Sequence, residues 1–230
     1  MIGFIGGTSL TNSTIFKGWH QNSIETPYGT VILKKRQSSV FLQRHGSPYL
    51  PPHRINHHAN IWAMKHIGVE EIIAINSVGS LKHAIKPGTF LIPDDFISIW
   101  YIPTFFNDKM QFTVPRMDTE SADRLYRQCE PLKIPVKKGG IYIQTQGPRL
   151  ETKAEIGMLK RFGDIVGMTM ASEVTLCLEC GIPYASICSV DNYCNGITKI
   201  PLTMDEIQKN VRNNLQNIER LIDSIHHGRL

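Results

Sequence analysis

Four short turns in the sequence carry side chains that could bind or move charge. After the apolar run "MIGFI" comes Gly6-Gly7-Thr8-Ser9, whose glycines let backbone N–H groups converge while the hydroxyls of Thr8 and Ser9 add donors, an arrangement suited to an anion. The pattern is neither a dinucleotide fingerprint nor a Walker loop, so a plain strand-to-helix turn is the competing explanation. Arg44 and His45, in "QRHG", end a second apolar run. A guanidinium fork offers two parallel donors to an oxyanion and the imidazole can add one more, although both could be surface residues at a strand end. "NSVGSL" (Asn76–Leu81) follows a third apolar run with small residues and a glycine that expose backbone N–H groups. Three such turns converging are hard to dismiss. The fourth, "TQGPRLET", places Glu151 just ahead of a helix start, where it either reads a ligand or complements the helix dipole.

Other residue types look reactive and are read differently. His53, His57 and His58 put imidazoles one helical turn apart. The glutamate that a metalloprotease helix carries after its first histidine is absent, and Cys177 and Cys180 have no second pair, so no metal site is expected. Five cysteines, an odd number lying mostly in apolar segments, imply reduced core thiols. The net charge of +5 comes from scattered Lys and Arg, without a basic face interleaved with aromatics, which argues against nucleic acid and leaves a small anionic substrate compatible. No apolar run approaches a membrane span, and the N-terminus lacks the basic start of a signal peptide. A cytoplasmic protein with no membrane partner is expected.

The elements that must position these turns alternate in a βαβ-like rhythm, which predicts an α/β fold in a single domain over residues 1–230. Strands are expected at "IGFI", "TVILKK", "SVFLQ", "EIIAIN", "TFLIP", "GIYIQT", "DIVGM" and "YASICSV". One helix is expected to begin after Pro51-Pro52 and run to Gly68. Thr152 with Glu155, and Thr203 with Glu206, have the spacing of helix-opening capping boxes. Ile207, Val211, Leu215, Ile218 and Ile222 then make one apolar face of the last helix. Residues 103–120 have no period and read as a long loop.

Taken in order, "IGGTSL", "RHG", "PPHRINHHANIWAMK", "INSVGSL", "TQGPRLET" and "VGMTMASEV" resemble the trimeric purine nucleoside phosphorylase and methylthioadenosine phosphorylase superfamily over residues 2–210. This resemblance implies an α/β domain with a mixed, barrel-like central sheet flanked by helices. It implies a homotrimer or dimer of trimers. It also implies phosphorolysis of a purine nucleoside to base and pentose 1-phosphate, with phosphate as co-substrate and no metal or organic cofactor. By the same resemblance, phosphate would meet Thr8, Ser9, Arg44, His45, the Ser77 backbone N–H and Thr169. Met168 would lie under the ribose, while Val78, Gly79 and Leu150 would bracket the base. Ser9 stands where the family commonly has glycine, and the loop "RHGSPYLPPH" is one residue short, with Tyr49 where relatives tend to have histidine. Phe112 is the candidate aromatic for reaching a neighbouring subunit's site.

Within the family, the position after "GPRL" and a position late in the last strand divide substrates, and here they are Glu151 and Asn192. An ionised carboxylate only accepts, so it matches the N1–H of hypoxanthine or guanine, which adenine lacks. The asparagine amide can accept from a protonated N7 while donating to O6. The position that meets the ribose 5′-hydroxyl through histidine in related enzymes is Met204, which with Ile207 makes an apolar pocket suited to a 5′-methylthio group. The resemblance is therefore closest to the 6-oxopurine type that accepts S-methyl-5′-thioinosine along with inosine and guanosine. Glu151, Asn192 and His45 are the expected catalytic residues. A methylthioadenosine phosphorylase, a nucleoside hydrolase and a non-catalytic purine-binding protein are the competing readings.

Overall fold

Strand β5 (Glu71–Ser80) is the spine of the molecule, and its sequence "EIIAINSVGS" is buried along nearly its whole length, as a strand covered on both faces must be. In the computed structural model, which describes residues 1–228, β5 has three partners. Its first half runs parallel to β1 (Ile2–Gly6), with Ala74 opposite Ile5. It runs parallel to β11 (Tyr184–Tyr193) from Ile72 to Ser80, and Gly79 and Ser80 also pair antiparallel with β10 (Ile165–Gly167). The sheet therefore branches at β5. One arm continues from β1 through β4 (Ser39–Gln43) and β3 (Gly29–Arg36) to β2 (His20–Thr26). Another passes from β10 to β9 (Ile141–Gln144) and β7 (Asp95–Ile97), and a third from β11 to β6 (Phe90–Ile92) and β8 (Val136–Lys138). The result is the mixed sheet expected, of eleven strands among the described residues. The expected domain span ends at residue 230, so its last two positions lie outside the described residues.

Every apolar run expected to be a strand is one. The three strands not foreseen are β2, whose "HQNSIET" is largely polar and lies at a sheet edge, and β7 and β8, whose "DFI" and "VKK" include charged residues and so make no apolar run like that of the equally short β6 and β10.

Among the described residues five α-helices pack around the sheet: α1 (His57–His66), α2 (Thr119–Cys129), α3 (Lys153–Leu159), α4 (Met170–Cys180) and α5 (Met204–His226). The start of α1 differs from expectation. Pro52–Arg54 form only a 3₁₀ turn and Ile55 is extended; the helix begins after Asn56, whose side chain accepts from Ala59 N at 3.0 Å. A capping side chain outweighs proline's preference for the first turn because it satisfies an orphan N–H. Thr152 and Glu155 do form a reciprocal capping box on α3, and Thr203 caps α5. The apolar face of α5 is buried only from Asn214 onward, where Ile218, Leu221, Ile222 and Ile225 join Phe4, Phe41 and Phe90 in one core cluster. Ile207, Val211 and Leu215 are only half-buried. The stretch before α2 is irregular, as its lack of period implies. No helix among the described residues is long and apolar enough to cross a membrane.

The assignment of the α1 start predicts that Asn56→Ala lowers unfolding free energy in urea by about 1 kcal/mol, the usual cost of losing an N-cap. A change near zero would move the start of the helix elsewhere.

Candidate functional site

The carboxyl ends of β1, β4, β5, β10 and β11 meet around a cleft of about 330 Å³. Crevices form there in α/β proteins because the chain must leave each strand by a turn whose backbone polar groups stay available. Thr8, Arg44, His45, Ser77 and Thr169 all line it, as do Val78, Gly79, Leu150, Glu151, Met168 and Asn192. Met204 and Ile207 line it from the first turn of α5. Ser9 does not. Successive side chains of a 3₁₀ turn point about 120° apart, and in the turn Thr8–Leu10 this leaves Thr8 exposed while the Ser9 hydroxyl is buried without a partner.

Arg44 departs from the role its type suggests. Its fork is directed not at the cleft but at Glu173 of α4, with Nε 2.5 Å from one carboxylate oxygen and Nη2 3.3 Å from the other. Nη1 donates to the Ile75 carbonyl at 2.9 Å and Nη2 to that of Ile5 at 3.4 Å. Burial alone would lower the guanidinium pKa, but the Glu173 carboxylate beside it more than compensates and holds it above the ordinary value. With four of five N–H groups engaged, one Nη1 hydrogen remains. A Cβ on Gly7 would collide with that nitrogen.

His45 is likewise fixed by a group outside the cleft. Its Nδ1 lies 2.7 Å from the Leu50 carbonyl, which can only accept, so Nδ1 carries the hydrogen and Nε2 presents a lone pair toward the Gly7 turn when the ring is neutral. Burial lowers its pKa, so neutral is its form near pH 7. The ring is therefore an acceptor where the sequence reading gave it a donor. Thr169 accepts from Asn76 Nδ2 at 2.9 Å, which leaves its own hydroxyl hydrogen to donate. His57, which burial takes down to about 3, is a neutral core imidazole.

Glu151 is buried, and Thr145 Oγ1 donates to its Oε1 at 2.6 Å. It has no part in capping α3. That task belongs to Glu155, drawn down to about 2 by hydrogen bonds from Arg149 and the Thr152 N–H. Asn192 reaches the cleft because of a β-bulge: β11 pairs with β5 as Val190 with Val78 and then Asn192 with Gly79, leaving Asp191 as the extra residue. Gly79 is required there, since a Cβ would lie 2.6 Å from Cys194 Sγ and 3.1 Å from Asn192 Nδ2. Asp191 points away from solvent and accepts from Ser77 Oγ, from Ser189 Oγ at 2.6 Å and from Asn214 Nδ2 of α5 at 3.2 Å. Burial raises its pKa to about 6. Met204 is 59% exposed, so the α5 end of the cleft is open.

Glu173, Thr145, Asp191 and Cys194 were not singled out from sequence. A signal existed for two of them: Glu173 is a lone acid in the apolar "MASEVTLCL", and Asp191 is a lone acid in the apolar "YASICSVDNY". A charge in such a setting needs a partner. Among the described residues no group of three or more His, Cys, Asp or Glu is placed to hold a metal ion.

An α/β sheet with hydroxyls, one neutralised arginine and a neutral imidazole at one set of strand ends, and with a carboxylate and an amide nearby, has the groups that could hold a small anion beside a polar ring. The sequence profile described as "Phosphorylase superfamily" matches residues 5–226, and the chain belongs to that superfamily. It is 38% identical over 229 residues to a probable 6-oxopurine nucleoside phosphorylase of Archaeoglobus fulgidus, covering 97% of this chain and 94% of that one. It is 40% identical over 244 residues to a probable S-methyl-5′-thioinosine phosphorylase of Methanocaldococcus jannaschii, covering 99% and 93%. Among solved structures, methylthioadenosine phosphorylase from Schistosoma mansoni in complex with adenine superposes with a TM-score of 0.86 at 26% identity, covering 96% of this chain and 89% of that one.

Two measurements on stability follow from the site's electrostatics. Glu173→Ala should cost about 3–5 kcal/mol in urea unfolding because it strands a buried guanidinium, whereas Arg149→Ala, which breaks an exposed pair, should cost about 1 kcal/mol or less. Equal losses would contradict the burial argument. Asp191 binds its proton more tightly in the fold than in the unfolded chain, so its ionisation costs stability as pH rises from about 4 to about 6. The stability of Asp191→Asn relative to wild type should therefore increase by roughly 2–3 kcal/mol across that window and stay level above it. A difference independent of pH would show that Asp191 titrates as a free carboxylate.

Proposed function

We propose that the protein cleaves 6-oxopurine nucleosides, S-methyl-5′-thioinosine, inosine and guanosine among them, by transfer of the pentosyl group to phosphate, giving the purine base and pentose 1-phosphate. It works with inorganic phosphate as co-substrate and without a metal or organic cofactor. The observation that carries the base preference is Glu151: a buried carboxylate relieved of helix capping and oriented by Thr145 can take the N1–H of a lactam-type purine, and adenine has none to give. Asn192, held close to Gly79, serves O6 and the N7 that gains a proton. Phosphate lies among Thr8, Thr169, His45 and the remaining Nη1 hydrogen of Arg44. Met168 lies under the sugar, and Met204 and Ile207 offer its 5′ substituent an apolar surface.

In the reaction the glycosidic bond stretches into an oxocarbenium-like state, and the anion below C1′ faces the positive charge as it grows. A phosphate oxygen bonds to C1′ as the C1′–N9 bond breaks with its electron pair going to the purine; N7 takes up a proton from solvent so that the base leaves neutral, and the Asn192 acceptor strengthens its bond as that proton arrives. No side chain becomes covalently attached.

We also infer a homotrimer acting in the cytoplasm. Met110, Phe112 and Val114 are 95%, 88% and 86% exposed, in a segment that also exposes Ile99 and Ile102. Apolar surface on that scale fits burial against a second copy, and to Phe112 we assign the approach to a neighbour's cleft.

Base release from inosine should require phosphate, and hydrolysis at an equal rate without it would favour a nucleoside hydrolase. Asn192→Ala should lower kcat by about 100-fold with little change in KM, because its bond strengthens only as the base leaves. The reverse pattern would remove Asn192 from this role. Glu151→Gln should cost about 100-fold in kcat/KM for inosine while narrowing its advantage over adenosine. An unchanged ratio would mean that Glu151 does not read the base.

A further inference from the structure

The polarity of the anion site is set by residues that do not touch the ligand. Ser77 lines the cleft, yet its hydroxyl hydrogen is given to Asp191. Burial leaves Asp191 a carboxylate above about pH 6, and a carboxylate only accepts. Toward the cleft, Ser77 Oγ therefore presents lone pairs alone. His45 Nε2 does the same, because the Leu50 carbonyl takes the ring hydrogen at Nδ1. Two acceptors thus stand beside donors from Thr8, Thr169 and Arg44. Among the described residues Arg44 is the only Lys or Arg lining the cleft, and Glu173 cancels its charge.

A tetrahedral anion bearing no hydrogen would leave both acceptors facing its oxygens, with no net positive charge in compensation. Sulfate near neutral pH is such an anion. Phosphate and arsenate keep at least one O–H there and can donate it.

We propose that Ser77 and Asp191 make this cleft selective for a tetrahedral oxyanion that carries hydrogen, phosphate or arsenate, over one that carries none, with Asp191 a positioning residue acting through Ser77. The inference rests on the proposed phosphate site and adds its basis of choice. Asp191 is well placed for this, since Ser189, Asn214 and the bulge between Val190 and Asn192 hold its carboxylate against β5.

The test is calorimetric titration of the intact protein with phosphate, arsenate and sulfate at about pH 7.5, where sulfate is fully ionised. Phosphate and arsenate should bind within about fivefold of each other and sulfate about 100-fold more weakly, since a site built to accept an O–H rejects the analogue lacking it. In Asp191→Asn the amide N–H can donate to Ser77, which turns the hydroxyl hydrogen toward the cleft. The sulfate penalty should then shrink by about tenfold or more. Ser77→Ala should shrink it less, and adding Asp191→Asn to Ser77→Ala should change nothing further, a dependence that a merely structural role for Asp191 would not produce. Sulfate binding as well as phosphate in the wild type, a penalty unmoved by Ser77→Ala, or an Asp191 effect that persists without Ser77 would each overturn the proposal. Ser77→Ala decides the matter if Asp191→Asn does not fold. Because binding is read directly, this result stands apart from turnover. Failure to convert inosine in the presence of phosphate would count against the proposed function and not against the anion preference.

Discussion

The ion pair between Arg44 and Glu173 is the constraint around which the cleft is assembled. Both side chains are almost fully buried, and a buried charge is tolerated only when it is paired and its remaining hydrogen-bonding groups are satisfied. Meeting that demand draws in the carbonyls of Ile5 in β1 and Ile75 in β5, along with the Tyr184 hydroxyl of β11, which donates to Glu173 at 2.9 Å. One guanidinium at the end of β4 thereby ties together three other strands and α4. The consequence for chemistry is less obvious. The only arginine at the cleft among the described residues is neutralised by Glu173, so recognition there depends on where hydrogens point more than on net charge.

Side chains must come close to backbone for that arrangement to exist. Gly7 leaves room for Arg44 and His45, and Gly79 leaves room for Asn192 and Cys194; a methyl group in either place would collide with the groups that line the cleft. The bulge at Asp191 solves a related problem. A regular strand alternates its side chains, so consecutive residues face opposite sides. The extra residue lets Asn192 pair opposite Gly79 and line the cleft while Asp191 turns to Ser77 on β5 and Asn214 on α5. Sheet irregularity and site geometry are here the same feature.

The sequence made the turns visible because turn chemistry is local. Glycines after apolar runs, the Thr152–Glu155 spacing and the eight strands built on apolar runs are each set by neighbours a few residues away, and they appear where the pattern puts them. What it concealed is mostly non-local. Two local details were also missed, the Asn56 cap three residues from Ala59 that displaced Pro52 as the start of α1, and the pitch of the 3₁₀ turn that removed Ser9 from the cleft; the rest is long-range. Arg44 has the right type for an oxyanion, but its counterion lies 129 residues away in sequence. Ser77 and Asp191 are 114 residues apart, and nothing in either segment alone announces the other.

A common device underlies the site's specificity. A hydroxyl, an imidazole or an amide can be donor or acceptor, so a cleft lined by such groups has no fixed polarity until something outside it takes or supplies a hydrogen. Three such groups have one here: the Leu50 carbonyl takes the His45 hydrogen, Asn76 donates to Thr169 and Asp191 takes the Ser77 hydrogen, while Thr145 orients the acceptor Glu151. Two of these partners are themselves fixed further back, Asn76 by Ser186 at 2.7 Å and Asp191 by Ser189. The outer residues do not line the cleft, yet they determine which hydrogens face it. An unpaired buried group costs more than a good hydrogen bond gains. A lining with fixed polarity therefore selects chiefly by what it refuses, and substitutions behind the cleft can alter selectivity as much as substitutions within it.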